Sequence, residues 1–230
     1  MKNSVRFPHL FRAPIFNDLA EDFVSHFIDE CSVQIFDKQA LVLSQGDATH
    51  GMFMIAHGSV EVTCVNPEGQ SVLIHVMRQF EVFAEVEALA EAPCAATCSA
   101  AANTTMLYCA KPVLYDSVKS LVFLRNLMKV SYDRLVRDNT IKFVDQFYPV
   151  EQRLCAYLHR LSVDKDEISK TQGDLAGMLG CARQTLNREL GRLRDRAIIE
   201  IEKGKIRVTD RNALLRIASE TDMRSGKPIN

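Results

Sequence analysis

The spacing of hydrophobic positions changes three times along this chain. Residues 17–30 place apolar side chains at helical intervals and predict a short amphipathic helix. From about 33 to 111 the spacing shortens to alternating or fully apolar runs: "VQIF", "LVLS", "MFMIA", "SVEVTCV", "SVLIHVM" and "TTMLYCA". Turn residues punctuate them at Gly46-Asp47, Gly58 and Asn66-Pro67-Glu68-Gly69. Short strands at such regular spacing predict an all-β sandwich or barrel-like roll. Between 112 and 147 helical spacing returns, with no glycine and with proline only at Pro112. Leu121, Leu124, Met128 and Leu135 form one stripe, interrupted by Ser131, and Val118, Leu127, Val130, Ile141 and Val144 form a second. A helix apolar on two sides has to be covered on both. One side can pack on the β domain and the other on the same helix of a second copy. The expected seam takes in Leu121, Leu124, Leu127, Met128, Ser131 and Leu135. A buried core helix of a monomer is the alternative. Pro149 ends the run. The chain is thus expected to be α+β, with a β-roll over 1–111, a long helix over 112–147 and a further domain over 148–230.

That last domain carries the strongest local pattern. After a helix at about 150–162, Thr171 and Asp174 have the spacing of a helix start. Leu175, Met178 and Leu179 give the helix an apolar side, Gly180 supplies a tight turn, and Leu186, Leu190 and Leu193 line a second helix. Two short helices joined this way form a helix-turn-helix, whose second member enters the DNA major groove. Arg183, Gln184, Asn187 and Arg188 share the opposite side at its amino-terminal end, where base edges are reached. Arginine's fork suits guanine O6 and N7, and Gln or Asn suits adenine. Thr171, Gln172, Thr185 and Arg192, with Arg194 and Arg196 beyond, are placed to meet phosphates, which orient without reading sequence. "AIIEIEKGKIRVTD" reads as a hairpin turning at Lys203-Gly204, a wing that brings Lys203 and Lys205 to the backbone. The competing reading is an ordinary helical hairpin with a solvated arginine-rich side.

Composition narrows the picture. The 230 residues suffice for two real cores, and 47% hydrophobic with 25% charged residues is ordinary for a globular chain. No apolar run reaches bilayer length, and "MKNSVRFPHLFRAPIF" lacks the core of a secretion signal. A cytoplasmic location is therefore expected, with the seven cysteines as reduced thiols. Residues 148–230 hold 16 Lys/Arg against 12 Asp/Glu, whereas 1–147 hold 12 against 17. The asymmetry suggests a nucleic-acid-facing domain on an acidic body. Enzyme signatures are missing. Gly46 and Gly51 have phosphate-loop spacing, but Met52-Phe53 follows where Lys-Ser/Thr is required, and no G-x-S-x-G, H-E-x-x-H or paired C-x-x-C occurs.

The order of β-roll, long helix and winged helix-turn-helix resembles the CRP/FNR family of bacterial transcription regulators over nearly the whole chain. The likeness is most specific at "LAGMLGCARQTLNRELGRL", similar to the family's DNA-reading helix pair, and extends to "QGDATHGMFMIAHGSVEV", similar to the opening of its β-roll. It implies a homodimer on inverted-repeat double-stranded DNA, with Arg183, Gln184 and Arg188 at base-reading positions and RNA polymerase as a further partner. Two residues depart from the pattern. Gln184 stands where the best-known members carry an acid that reads cytosine, and Ala182 stands where Ser or Thr usually caps the reading helix, removing about 1 kcal/mol.

The resemblance also implies an effector pocket at Phe83, Glu85, Ala95, Ala96, Ser131 and Arg134. In "FAEVEALAEAPCAATCSAA", Glu85 matches the ribose-binding acid of cyclic-nucleotide-binding members. Ala84 replaces their glycine, and Ala95-Ala96-Thr97 falls where Arg-Ser-Ala would. A buried cyclic phosphate needs a charge partner, so cyclic AMP is not the expected effector, unless Arg134 supplies charge from the long helix. The family's amino-terminal iron–sulfur cluster is not expected either, since the first cysteine is Cys31. Haem through His75, oxidant or metal sensing through Cys94 and Cys98 with Cys64 and Cys109, and control without any effector stay open, though buried thiols are most often inert. A sensor acting through protein contacts is the second functional class.

Overall fold

The computed structural model describes residues 1–65, 71–162, 166–168, 171–202 and 204–219, without the side chains at 141–146 and 174. The expected turn at Asn66–Gly69, Lys203 at the wing tip, and the side chains of Ile141, Val144 and Asp174 lie outside the described residues. The chain divides into two compact units, Met1–Val136 and Arg137–Asn230, and the division falls inside the long helix.

The first unit begins with α1 (Asn3–Arg6), two 3₁₀ turns (Pro8–Arg12 and Pro14–Phe16) and α2 (Glu21–Glu30). The expected helix over 17–30 starts at Glu21, because Asp18 takes a left-handed φ of 60° and Ala20 is extended, both outside helical geometry. Strands β1 (Ser32–Phe36), β2 (Ala40–Leu43), β3 (Gly51–His57), β4 (Ser59–Val65) and β5 (Ser71–Arg78) follow, then β6 (Val82–Phe83), α3 (Glu85–Ala90), β7 (Thr97–Ala100) and β8 (Thr104–Ala110). They form two antiparallel sheets, ordered β1-β8-β3-β6 and β2-β7-β4-β5. Residue alternation explains the layering. Met52, Met54 and Ala56 of β3 point to a core shared with the helices, while Phe53 and Ile55 point into the space between the sheets. In β4 only Val60 and Val62 are buried, as one-sided alternation requires. Gly58 turns β3 into β4 at φ +85°, and a Cβ there would stand 2.4 Å from the Thr104 hydroxyl.

The helical core is closed by the amino-terminal segment. Phe7, Leu10, Ile15 and Phe16 are buried, and the rings of Phe16 and Phe27 pack around Phe123. The expected single helix over 112–147 is two helices, α4 (Lys111–Ser117) and α5 (Leu121–Phe147). Serines make the break. The Ser117 hydroxyl donates back to the Val113 carbonyl at 2.8 Å, and the Ser120 hydroxyl accepts from the Phe123 amide at the start of α5. On α5, Phe123, Asn126 and Leu127 face inward, and Asn126 Nδ2 donates to the Ile15 and Asn17 carbonyls at 3.1 and 2.7 Å. Leu127 is fully buried in this core and is not part of an exposed seam, correcting the expectation that it lines one. Leu121, Met128, Tyr132 and Leu135 are instead 79%, 49%, 64% and 57% exposed, and Leu124 is half-buried.

The second unit contains α6 (Val150–Leu161), β9 (Glu167–Ile168), α7 (Gln172–Met178), α8 (Arg183–Asp195), β10 (Ile199–Glu202), β11 (Lys205–Val208) and α9 (Arg211–Ser219). Its core takes Leu154, Leu158, Leu175, Leu179, Leu186, Leu190, Leu193 and Leu214, with Ile199, Ile206 and Val208 from the sheet. Each such side chain contributes about 1.5–3 kcal/mol by leaving water. The wing hairpin β10–β11 gains β9 as a third antiparallel strand, which no sequence pattern had suggested.

Candidate nucleic-acid interface and effector pocket

The exposed side of α8 is built by the residues behind it. Leu186, Leu190 and Leu193 are at most 1% exposed and fix the helix's rotation about its axis. Gly180 adopts φ +56°, and the Cys181 amide reaches back to the Ala176 carbonyl at 3.1 Å, which ends α7 and redirects the chain. Ala182 is the amino-terminal cap of α8 and has no side chain able to satisfy the first amides. Arg183, Gln184, Asn187 and Arg188 are all exposed on the side away from the leucines. Thr171 is exposed, and Gln172 and Thr185 are half-buried.

The arginine row is organised by a residue the sequence reading passed over. Glu189 is 3% exposed, yet its carboxylate accepts from Arg188 Nε at 3.2 Å and from Arg192 Nη1 at 2.9 and 3.2 Å. The available signal was an acid lying between Leu186 and Leu190 on the buried flank, three residues before Arg192. Arg194 pairs with Asp195 at 2.8 Å and Arg196 with Glu151 at 3.0 Å. Lys205 is not held out alone from the wing, since its ammonium pairs with Glu167 of β9.

The residues expected around an effector are only partly brought together. Glu85 is 1% exposed at the start of α3, and Arg134 Nη1 stands 3.1 Å from its Oε1. The contact is poorly aligned for hydrogen bonding, so both Glu85 oxygens are buried without a hydrogen-bond partner among the described residues. Burial pushes the Glu85 carboxyl above its ordinary range, and Arg134 pulls it part of the way back. Arg134 Nη2 donates to the Val82 carbonyl at 2.8 Å. Both ends of that guanidinium are therefore engaged by the protein. Ala84, just before Glu85, sits at φ +64°, a left-handed conformation that costs a non-glycine residue about 1–2 kcal/mol. Phe83 is a core residue stacked on Phe53 at 4.9 Å. Ala95 is exposed, Ala96 packs half-buried on the core, and the Ser131 hydroxyl donates to Leu127 of its own helix at 3.0 Å. These three offer no charge to an anion.

The other sensing groups are committed elsewhere or muted. His75 Nε2 is 3.1 Å from Glu81 Oε1. Burial pushes the thiols of Cys64 and Cys94 upward and that of Cys98 to about 12, so they stay protonated and weakly nucleophilic. The neighbouring Cys109, ahead of burial, holds Cys31 in its protonated form, and the Cys31 thiol donates to the Phe27 carbonyl at 3.2 Å. Among the described residues no cluster of three His, Cys, Asp or Glu side chains could hold a metal, and no helix is long and apolar enough to cross a membrane.

Known proteins share this arrangement. The cyclic nucleotide-binding domain family matches residues 33–120, and the Crp-like helix-turn-helix domain family matches 152–217. The chain is 23% identical over 223 residues to the CRP-like cAMP-activated global transcriptional regulator of Mycobacterium tuberculosis, covering 91% of this chain and 98% of that one. The c-di-GMP responsive global regulator of Xanthomonas campestris has the same fold, with a TM-score of 0.69 at 14% identity over 83% of this chain and 100% of that one. So does a CRP/FNR-family regulator of Thermus thermophilus, at 0.60 and 20% identity over 81% and 98%. A cyclic-nucleotide-binding-like roll followed by a Crp-like helix-turn-helix defines a class of transcription regulators that bind DNA. This chain belongs to the CRP/FNR family.

Proposed function

We propose that this chain is a homodimeric, sequence-specific regulator that reads an inverted repeat in double-stranded DNA through Arg183, Gln184, Asn187 and Arg188. The observation that carries the reading is the exposure of these side chains on one side of α8 while Leu186, Leu190 and Leu193 are buried behind them. Groups able to bond base edges are thereby presented on a helix of major-groove dimensions. Thr171, Gln172, Thr185 and Arg192 flank the row as phosphate contacts, with Lys203 and Lys205 from the wing. The exposed apolar stripe of Leu121, Met128, Tyr132 and Leu135, with Leu124 at its edge, is the dimer seam. Two copies of α8 then address half-sites about one helical turn apart.

Cyclic AMP is not the effector in this reading. Glu85 and Arg134 neutralise one another, and 95–97 bring no cation to replace the arginine an anion requires. The related regulators named above carry two different effectors in their descriptions, so the pocket's own chemistry decides. Selection from random-sequence duplexes tests the main reading: an enriched palindrome is expected, and recovery of no preferred sequence overturns it. Thermal unfolding with millimolar cyclic AMP tests the second part, and a raised midpoint overturns it.

A further inference from the structure

Glu189 is the one acidic residue in the first two turns of α8, and it is buried where its neighbouring arginines are exposed. Positions 188 and 192 are one turn apart, so both guanidinium groups reach the same carboxylate from the same side of the helix. We propose that Glu189 is a positioning residue for DNA readout: a buried carboxylate that fixes the Arg188 fork toward a base and the Arg192 side chain toward a phosphate. The inference rests on the DNA-reading role of Arg188 given above.

The chemistry follows from how arginine donates. A guanidinium carries five N–H donors in a rigid plane. Arg188 gives its Nε to Glu189, which leaves the two terminal amino groups, and their parallel N–H bonds can span guanine O6 and N7. An untethered arginine loses rotamer freedom when DNA fixes it, and Glu189 imposes that restriction before DNA arrives. The carboxylate does not reach a base edge itself, because it is 3% exposed and lies behind the arginine row. It does cancel one positive charge beside the phosphates, which weakens binding to DNA of any sequence. Specific and non-specific binding are therefore expected to move in opposite directions when the charge is removed.

The test uses the full chain and its selected operator, with single-base variants at every position and a random duplex as competitor. Glu189→Leu, Glu189→Gln and Arg188→Ala are titrated at several salt concentrations, and each variant's thermal midpoint is measured. Glu189→Leu is expected to bind the random duplex at least as tightly as the unaltered chain, with a steeper salt dependence. Its discrimination at the base pair relaxed by Arg188→Ala should fall about tenfold, the scale of one bidentate base contact. Glu189→Gln, which keeps an acceptor oxygen, should lose less. Unchanged discrimination in both Glu189 variants overturns the proposal. So does an equal loss on all sequences accompanied by a lowered midpoint, which marks a structural role. A change at a different base pair from Arg188→Ala also overturns it, by making Glu189 a direct reader. If Arg188→Ala itself relaxes no base pair, the assignment of Arg188 fails first and the positioning role falls with it.

Discussion

Helices α5 and α8 both carry leucine stripes, and they use them differently. On α8 the leucines are buried in one unit's core and the opposite side is all polar, so the helix has a single inside. On α5 Phe123 and Leu127 are buried while Leu121, Met128, Tyr132 and Leu135 remain exposed, so it offers a second apolar side. A helix with one apolar side is complete within its own domain. One with two needs a further partner for the water-facing stripe. The charges follow the same division. Arg188 and Arg192 of α8 point outward, held by Glu189, whereas Arg134 of α5 turns inward to Glu85 and the Val82 carbonyl.

Neighbouring residues on α5 offer the sharpest way to break this contrast. Leu127→Ala and, on α8, Leu190→Ala are each expected to lower unfolding free energy by about 2–5 kcal/mol, measured by urea denaturation. Met128→Asp should lower it only by the association free energy of the dimer it removes, leaving the folded monomer's own unfolding free energy within about 0.5 kcal/mol. The same variant should turn a sedimenting dimer into monomer, and an unchanged dimer would place the seam elsewhere. Next in size, Arg183→Ala should weaken operator binding by about 1–3 kcal/mol and relax one base pair. Equal weakening on unrelated DNA would assign Arg183 to phosphate instead. Ala182→Ser supplies the missing cap of α8 and should stabilise the second unit by about 1 kcal/mol in the same denaturation experiment.

The smallest effect is a slope with pH. Burial raises the Glu85 carboxyl above its ordinary value of 4.5, so the folded chain keeps that proton to higher pH than the unfolded chain does. Stability from this group is complete below 4.5, falls as pH rises through the raised value, and is flat above it. Glu85→Gln removes the slope. Its midpoint relative to the unaltered chain should therefore climb across that window, and a difference independent of pH would show that Arg134 already holds Glu85 charged.

Several elements could be read directly from residue spacing. The strands at 59–65 and 71–78, the helix pair joined at Gly180 and the leucine side of α8 all lie within one local period. Strands β6 and β9 are two residues long, too short for any alternation to register. The break at 118–120 was missed because serine hydroxyls interrupt a helix without the glycine or proline that usually marks such a stop. Glu189 went unremarked because a glutamate on a polar helix looks solvated until its burial is known.

The sequence alone determined which side of each long element is apolar and which side chains α8 holds out, since periodicity is a property of consecutive residues. Tertiary packing decided what covers each apolar side. It put Leu127 under the amino-terminal turns, set Arg134 against Glu85, and paired Lys205 with Glu167. Such contacts join residues far apart in the chain, and their energies depend on burial and distance, which no local pattern encodes.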